Sequence, residues 1–363
     1  MLLNFFFFMS TVFAFENSLV GYGSSDAVLP SKNQELFYLG FELALQKSRL
    51  SEDIMSRIIT SSVNNGSALG AQKAVENLIA NKVELIVGFP TSHEALLAAK
   101  IASANNKFAI FAGAGHEDLA KFGPKILTTG ESMDRSVTST LAFIKKNVYG
   151  TKGIVVVNPF AVFSQNQADK IKEINSKNFK LKLDFAYLNQ NKTLSEEDLK
   201  KIEKSNFIFI TPYADESVKF LEQFNKNKID LPIITNSSWT TGDLESIRRF
   251  LVQRKSPIYS SSLWIKGSKE SLTFENLVRS TYGREAVAEI SYGYDLGIIV
   301  KSILTELPKK FTSDDVVNFI KNKKCFSNTT SGKICFSPNG GHAERKLFFV
   351  KFNKSNFSVI GTN

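Results

Sequence analysis

Cysteine, histidine and the signature loops of catalysis are what this chain has least of. Among 363 residues there are only two cysteines and three histidines. Two thiols cannot by themselves build a structural zinc site. His93 and His116 both fall beyond strand ends and His342 in a terminal turn, with no Cys or carboxylate at ligand spacing, so no metal site is expected. There is no Gly-x-Ser-x-Gly elbow, no Walker loop and no Gly-x-Gly-x-x-Gly after a strand; Gly21-Tyr22-Gly23-Ser24-Ser25-Asp26 only begins like one. Lacking a recognisable nucleophile, base and orienting group, or a cofactor motif, the chain is expected to be neither an enzyme nor a cofactor carrier. Short-period repeats are absent as well.

A concentrated basic face is also missing. The balance of 45 Lys+Arg against 35 Asp+Glu gives +10, but the basic residues are scattered, with short pairs such as Lys145–Lys146 and Lys323–Lys324 at helix ends or loops. Nucleic-acid recognition wants one basic face with interleaved aromatics or a known module; no nucleic-acid partner is expected.

The apolar leader MLLNFFFFMSTVFA has no charged side chain and is shorter than the roughly 20 residues that span a bilayer. Small residues around Val12-Phe13-Ala14 fit signal-peptidase cleavage after Ala14, so residues 1–14 are read as a signal peptide; an N-terminal core strand is the alternative. No cysteine follows to carry a lipid, so no direct membrane anchor is expected and the product should be a soluble, exported protein. In an oxidising compartment Cys325 and Cys335 could close a small loop; two unpaired thiols are the rival reading.

What remains is an ordinary globular composition, 43% hydrophobic and 22% charged, in a chain long enough for about two domains of ~150 residues. Apolar and amphipathic runs alternate. Strands are predicted at Ser18–Tyr22, Arg57–Ser61, Val83–Val87, Phe108–Ala112, Gly153–Val157, Lys182–Ala186, Phe207–Thr211, Pro232–Thr235 and Pro257–Trp264, with helices between them. Such alternation implies parallel sheets with helices on both faces. The units could close into one barrel or split into two open sheets; a restart near Gly153, after the non-periodic stretch Gly123–Asp134, favours the split.

The segment Val83–Leu119 points to a site. A strand ends in Gly88-Phe89-Pro90 and the hydroxyls Thr91 and Ser92, an Ala-rich helix follows, and a second strand ends in Gly113-Ala114-Gly115. In open α/β sheets ligands bind outside the carboxyl ends of the strands, so Thr91–Ser92 and Gly113–Gly115 are candidate ligand loops. A helix N-cap for the first and a plain tight turn for the second are the structural alternatives.

With these features in this order, the chain resembles the type I periplasmic solute-binding proteins, in particular the leucine/isoleucine/valine-binding group that serves ABC importers. The resemblance covers nearly all of the sequence after the leader. It is carried by Ser61-Ser62-Val63-Asn64-Asn65 with the Ala71–Ile79 helix, by GFPTS and IFAGAGHEDL, and by Phe163-Ser164-Gln165-Asn166-Gln167-Ala168 in place of a Tyr-Gly-x-Gly-x-Ala turn. Tyr282-Gly283, Tyr294-Asp295 and GKICFSPNGG complete it. It implies an α/β fold of two open doubly wound parallel-sheet lobes joined by a three-crossover hinge. The first lobe would hold residues 15–134 and 262–334, the second 135–261 and 335–363.

The resemblance further implies a small-molecule ligand gripped between the lobes and a membrane permease as partner. It places a ligand carboxylate at Thr91 and Ser92, backbone donors at Ala114 and Gly115 beside Gly113, and aromatic walls at Phe163 and Tyr213. Ser237 stands where amino-acid receptors place the acid that receives an α-ammonium, with Asp215, Glu216 or Glu131 as possible substitutes. An amino-acid-like or other small polar solute is therefore expected; a periplasmic sensor or regulatory interaction protein with a degenerate ligand site is the alternative.

Overall fold

Strands that read as unbroken apolar runs sit in the middle of two sheets, buried on both faces as parallel strands usually are; Ile154–Val157 and Phe207–Ile210 have no exposed surface. The computed structural model describes residues 17–26, 31–46, 51–64, 69–240, 245–353 and 356–362; the expected signal peptide lies outside them. In chain order the strands are β1 (Val20–Ser25), β2 (Ile58–Val63), β3 (Leu85–Gly88), β4 (Phe108–Phe111), β5 (Ile126–Thr128), β6 (Lys152–Val157), β7 (Lys182–Tyr187) and β8 (Phe207–Ile210). They continue with β9 (Ile233–Thr235), β10 (Ile258–Ser262), β11 (Cys325–Thr329), β12 (Gly332–Phe336), β13 (Gly341–Arg345), β14 (Phe348–Asn353) and β15 (Asn356–Thr362).

The first sheet runs β11-β12-β13-β5-β4-β3-β1-β2 and the second β15-β14-β10-β9-β8-β6-β7. The first is built on six parallel strands and the second on five, each with an antiparallel pairing added at one edge. In each, the second strand in sequence flanks the first on one side and the third on the other. The reversal of winding therefore falls between β1 and β3 in one lobe and between β6 and β8 in the other, the place where doubly wound sheets open a ligand crevice. A barrel is excluded by the two separate sheets.

The expected change of lobe at Cys335 is corrected by the strand order. Cys335 lies within β12, and β13 pairs in parallel with β5, Gly341 opposite Leu127 and His342 opposite Thr128. Gly340 and Gly341, both at positive φ, turn the chain back so that β12 and β13 pair antiparallel. Only after Arg345 does the chain pass to the second sheet. The non-periodic stretch Gly123–Asp134 hides the three-residue β5, too short to show a period.

Cys325 and Cys335 sit opposite each other on β11 and β12 and are joined by a disulfide. Among the described residues no helix is long and apolar enough to cross a membrane.

Candidate functional site

At the β1/β3 switch point, Gly88 takes a φ of 112°, and a Cβ there would sit 2.1 Å from the Gly23 carbonyl oxygen. This close crossing delivers the chain to Thr91, which caps the helix Ser92–Ala104. Its Oγ1 accepts the Glu94 N–H at 3.4 Å and donates to Glu94 Oε2 at 2.8 Å. The Thr91 hydroxyl is thus engaged within a capping arrangement. Ser25 Oγ, from the end of β1, donates to Glu94 Oε1 at 2.7 Å, and Gln34 Nε2 approaches the same oxygen at 3.5 Å. Glu94 has no exposed surface, and burial raises its pKa against the pull of these neutral donors. Ser92 is nearly buried beside it.

The loop after β4 is shaped by its neighbours. Gly113 adopts a φ of 85°, its N–H donates to Thr129 Oγ1 at 3.0 Å, and the Ala114 carbonyl accepts from Thr128 Oγ1 at 2.7 Å. Gly130 backs the loop so closely that a Cβ would come within 2.4 Å of the Ala114 oxygen. His116 Nδ1 caps the short turn of helix at Glu117–Phe122 by accepting the Asp118 N–H. His342, on β13, is buried beside this loop with its Nε2 unpartnered; burial lowers its pKa to about 4. Among the described residues no cluster of metal-ligating side chains occurs.

The second lobe mirrors this construction at its own switch point. Asn158, just past β6, donates from Nδ2 to Glu216 Oε1 at 2.9 Å, and the Tyr213 N–H donates to Glu216 Oε2 at 3.2 Å. Burial raises the Glu216 pKa. Ser164 and Thr211 hydroxyls meet at 2.7 Å, and Asn236 Nδ2 donates to the Thr211 carbonyl at 2.7 Å. Above this network the rings of Phe163 and Tyr213 stack, centroids 5.2 Å apart and planes inclined by 15°. Burial, followed by the charges of Glu216 and Glu94, raises the Tyr213 pKa; an acid of the first lobe therefore lies within electrostatic reach of an aromatic of the second.

Between the lobes is a cavity of about 40 Å³. The first lobe contributes Gly113, Gly115 and Glu131, the second Phe163, Gln167, Asn236 and Ser237, and the crossing segments Leu263 and Leu347. Glu131 is paired with Arg135 at 3.2 Å. The structure thus brings Gly113, Gly115, Phe163 and Ser237 to one cavity. Thr91, Ser92, Ala114 and Tyr213 lie outside its lining, Tyr213 behind Phe163. A water needs about 10–15 Å³ and ligand pockets run to ~300 Å³ or more, so the lobes here are shut on each other. A wider depression of about 620 Å³ is lined by the helix ends around Glu306–Pro308 and Asp315–Lys323 and by no strand end.

The buried Glu94 cluster was not anticipated. The Thr91-x-x-Glu94 spacing of a capping box was a visible signal for it, whereas Gln34 and Ser25 reach it only through the fold.

The family model described as "Periplasmic binding protein" matches residues 64–356. No curated protein matches the chain in sequence. Among solved structures, a leucine-binding protein from Thermotoga maritima superposes with a TM-score of 0.78 at 14% identity, covering 95% of this chain and 98% of its own. A branched-chain amino acid substrate-binding protein from Streptococcus pneumoniae, in complex with isoleucine, gives 0.76 at 16% identity, with 96% and 99% covered. A solute-binding protein from R. palustris in complex with 4-hydroxybenzoate gives 0.77 at 12% identity, with 96% and 97% covered.

Proposed function

The chain belongs to the periplasmic binding protein family, and on that premise we propose that it captures a small solute between its two lobes for the membrane permease of an ABC importer, as a soluble protein of the periplasm. One observation carries the proposal: the two lobes present their ligand loops to a single shared cavity, Gly113 and Gly115 from one side and Phe163 and Ser237 from the other. The role is binding rather than turnover. A ligand that touches both lobes favours the closed state by its differential affinity for it, and parting the lobes along the three crossings admits it.

In this reading the backbone of Gly113, Ala114 and Gly115 and the Thr91–Ser92 helix start supply polar contacts from the first lobe. Phe163 and Tyr213 form the aromatic wall of the second, with Ser237 at its rim. The structures superposing on this chain hold an aliphatic amino acid or an aromatic acid, and the same classes are reasonable first probes here. The narrowness of the shut cavity favours one competing reading, a periplasmic regulator that keeps the fold without a ligand.

Thermal unfolding against a solute library separates them. A receptor gains about 2.7 kcal/mol at a hundredfold excess over its Kd, and Ser92→Ala or Tyr213→Ala reduces that gain. A protein whose melting point no solute moves is not a solute receptor.

A further inference from the structure

Three buried polar groups of the first lobe have more acceptor capacity than the chain satisfies. Glu94 is met by Ser25, Thr91 and Gln34, all neutral. Gln34 spends its amide donor on Glu94, while its Oε1 is buried without a partner. Tyr22 Oη is likewise buried and unpartnered, near enough to feel the Glu94 charge. Gln34 and Tyr22 are only 5% and 3% exposed. A buried polar atom left unpaired costs about 1–3 kcal/mol, and an amide oxygen can be satisfied only by a donor.

These groups lie at the β1/β3 switch point, where Ser25 ends β1 and Thr91 follows β3. The helix Ser92–Ala104 packs there against the helix Val162–Ile174 of the second lobe, whose Phe163 stacks on Tyr213. Across the junction stands a second buried carboxyl, Glu216, its oxygens taken by Asn158 and the Tyr213 N–H. Among the described residues neither Glu94 nor Glu216 is held in an ion pair; both are met by neutral donors.

We propose that Glu94, Gln34 and Tyr22 form a recognition end for a protonated nitrogen, so that the solute is an organic cation bearing N–H donors, an ammonium or a guanidinium, which enters with that group toward the first lobe. The inference rests on the solute-binding reading and adds the sign of the ligand's charge. A carboxylate entering that end would face an uncompensated acid in a low-dielectric site, where like charges are strongly disfavoured. An N–H cation instead supplies donors and a countercharge together.

Calorimetric titration of the full chain with agmatine, n-butylamine, tetramethylammonium, butyrate, leucine and 4-hydroxybenzoate tests this. Agmatine or butylamine should bind at least tenfold more tightly than tetramethylammonium, which has no N–H. Glu94→Gln should weaken that binding at least tenfold. Should that variant fail to fold, Gln34→Leu serves in its place and should weaken the cation several-fold. Leucine supports the proposal only if Glu94→Gln costs it tenfold. Binding of butyrate or 4-hydroxybenzoate that Glu94→Gln leaves unchanged or tightens would overturn the cation inference and leave the receptor reading standing. If neither this panel nor the wider library binds, both fall.

Discussion

Arg345 and Asp295 form an ion pair at 2.7 Å with neither side chain exposed. The same guanidinium donates to the carbonyls of Thr129 at 3.2 Å and Leu263 at 3.3 Å, and to Ser331 Oγ at 3.0 Å. Thr129 follows β5, Leu263 follows β10, and Arg345 itself ends β13. One side chain therefore fastens all three segments where the chain passes between its lobes. Asp295, on the helix Ala288–Glu306, is further held by the Thr330 N–H at 2.6 Å.

Removing one member of such a pair leaves the other charged and buried, at a cost of about 3–5 kcal/mol. Arg345→Met and Asp295→Asn should each lower the denaturation midpoint accordingly. The double variant should lose less than the sum of the two, because the residues share one interaction. Additive losses in denaturant titration would show that the pair is not coupled.

Tyr213→Ala deletes one ring of the Phe163 stack, a contact type worth about 0.5–1.5 kcal/mol beyond its buried area. Ligand affinity should fall about tenfold in titration calorimetry, whereas Tyr213→Phe should stay within about threefold of wild type. Equal losses from both would assign the effect to the hydroxyl instead.

His342 gives the fold a pH dependence of known sign. Its folded pKa of about 4 lies below the ordinary 6.5 because burial disfavours the charged ring. Between those values the unfolded chain binds the extra proton. The contribution of neutral His342 is present in full above pH 6.5 and is lost as pH falls toward 4, with a slope of up to about 1.4 kcal/mol per pH unit. Glu94 and Glu216 act oppositely: their raised pKa values favour the folded state when protonated, an advantage lost as pH rises. The measurement is thus the difference between wild type and His342→Gln across pH 4–7; parallel stability curves would contradict it.

The Cys325–Cys335 bridge closes a loop with a sequence separation of 10, for which chain entropy predicts about 2–3 kcal/mol. Replacing both cysteines by serine should lower stability by that amount and leave ligand affinity unchanged, since the β11–β12 hairpin stands at the edge of its sheet. A change in affinity would mean that this edge communicates with the cleft.

Long, fully buried strands were the most legible part of the sequence. Lys152–Val157 and Phe207–Ile210 differ from the predicted spans by one residue at one end, because an apolar run between polar boundaries has few other solutions. β5 escaped notice because three residues carry no period, and with it went the lobe of β13, whose place depends on pairing with β5. The helix Glu245–Gln253 and the strand β11 were also missed. At the site, the loops ending β3 and β4 were readable from their glycines and hydroxyls. The Thr91–Glu94 contact is local, whereas the closing of Ser25 and Gln34 over that acid brings in residues distant in sequence. Arg345 gave no local signal at all: its meaning lies in three carbonyls and a carboxylate that only the crossings bring together.

The acid at the β1/β3 junction sits inside a chain of net charge +10, so the molecule is positive at a distance while its junction holds a buried carboxyl. An ammonium diffusing inward must climb a repulsive field before it meets Glu94, and added salt, by screening that field, should hasten its arrival. An anion would be drawn in from afar and slowed by the same salt. The ionic-strength dependence of the association rate thus carries the sign of the solute's charge, readable from kinetics before its identity is known.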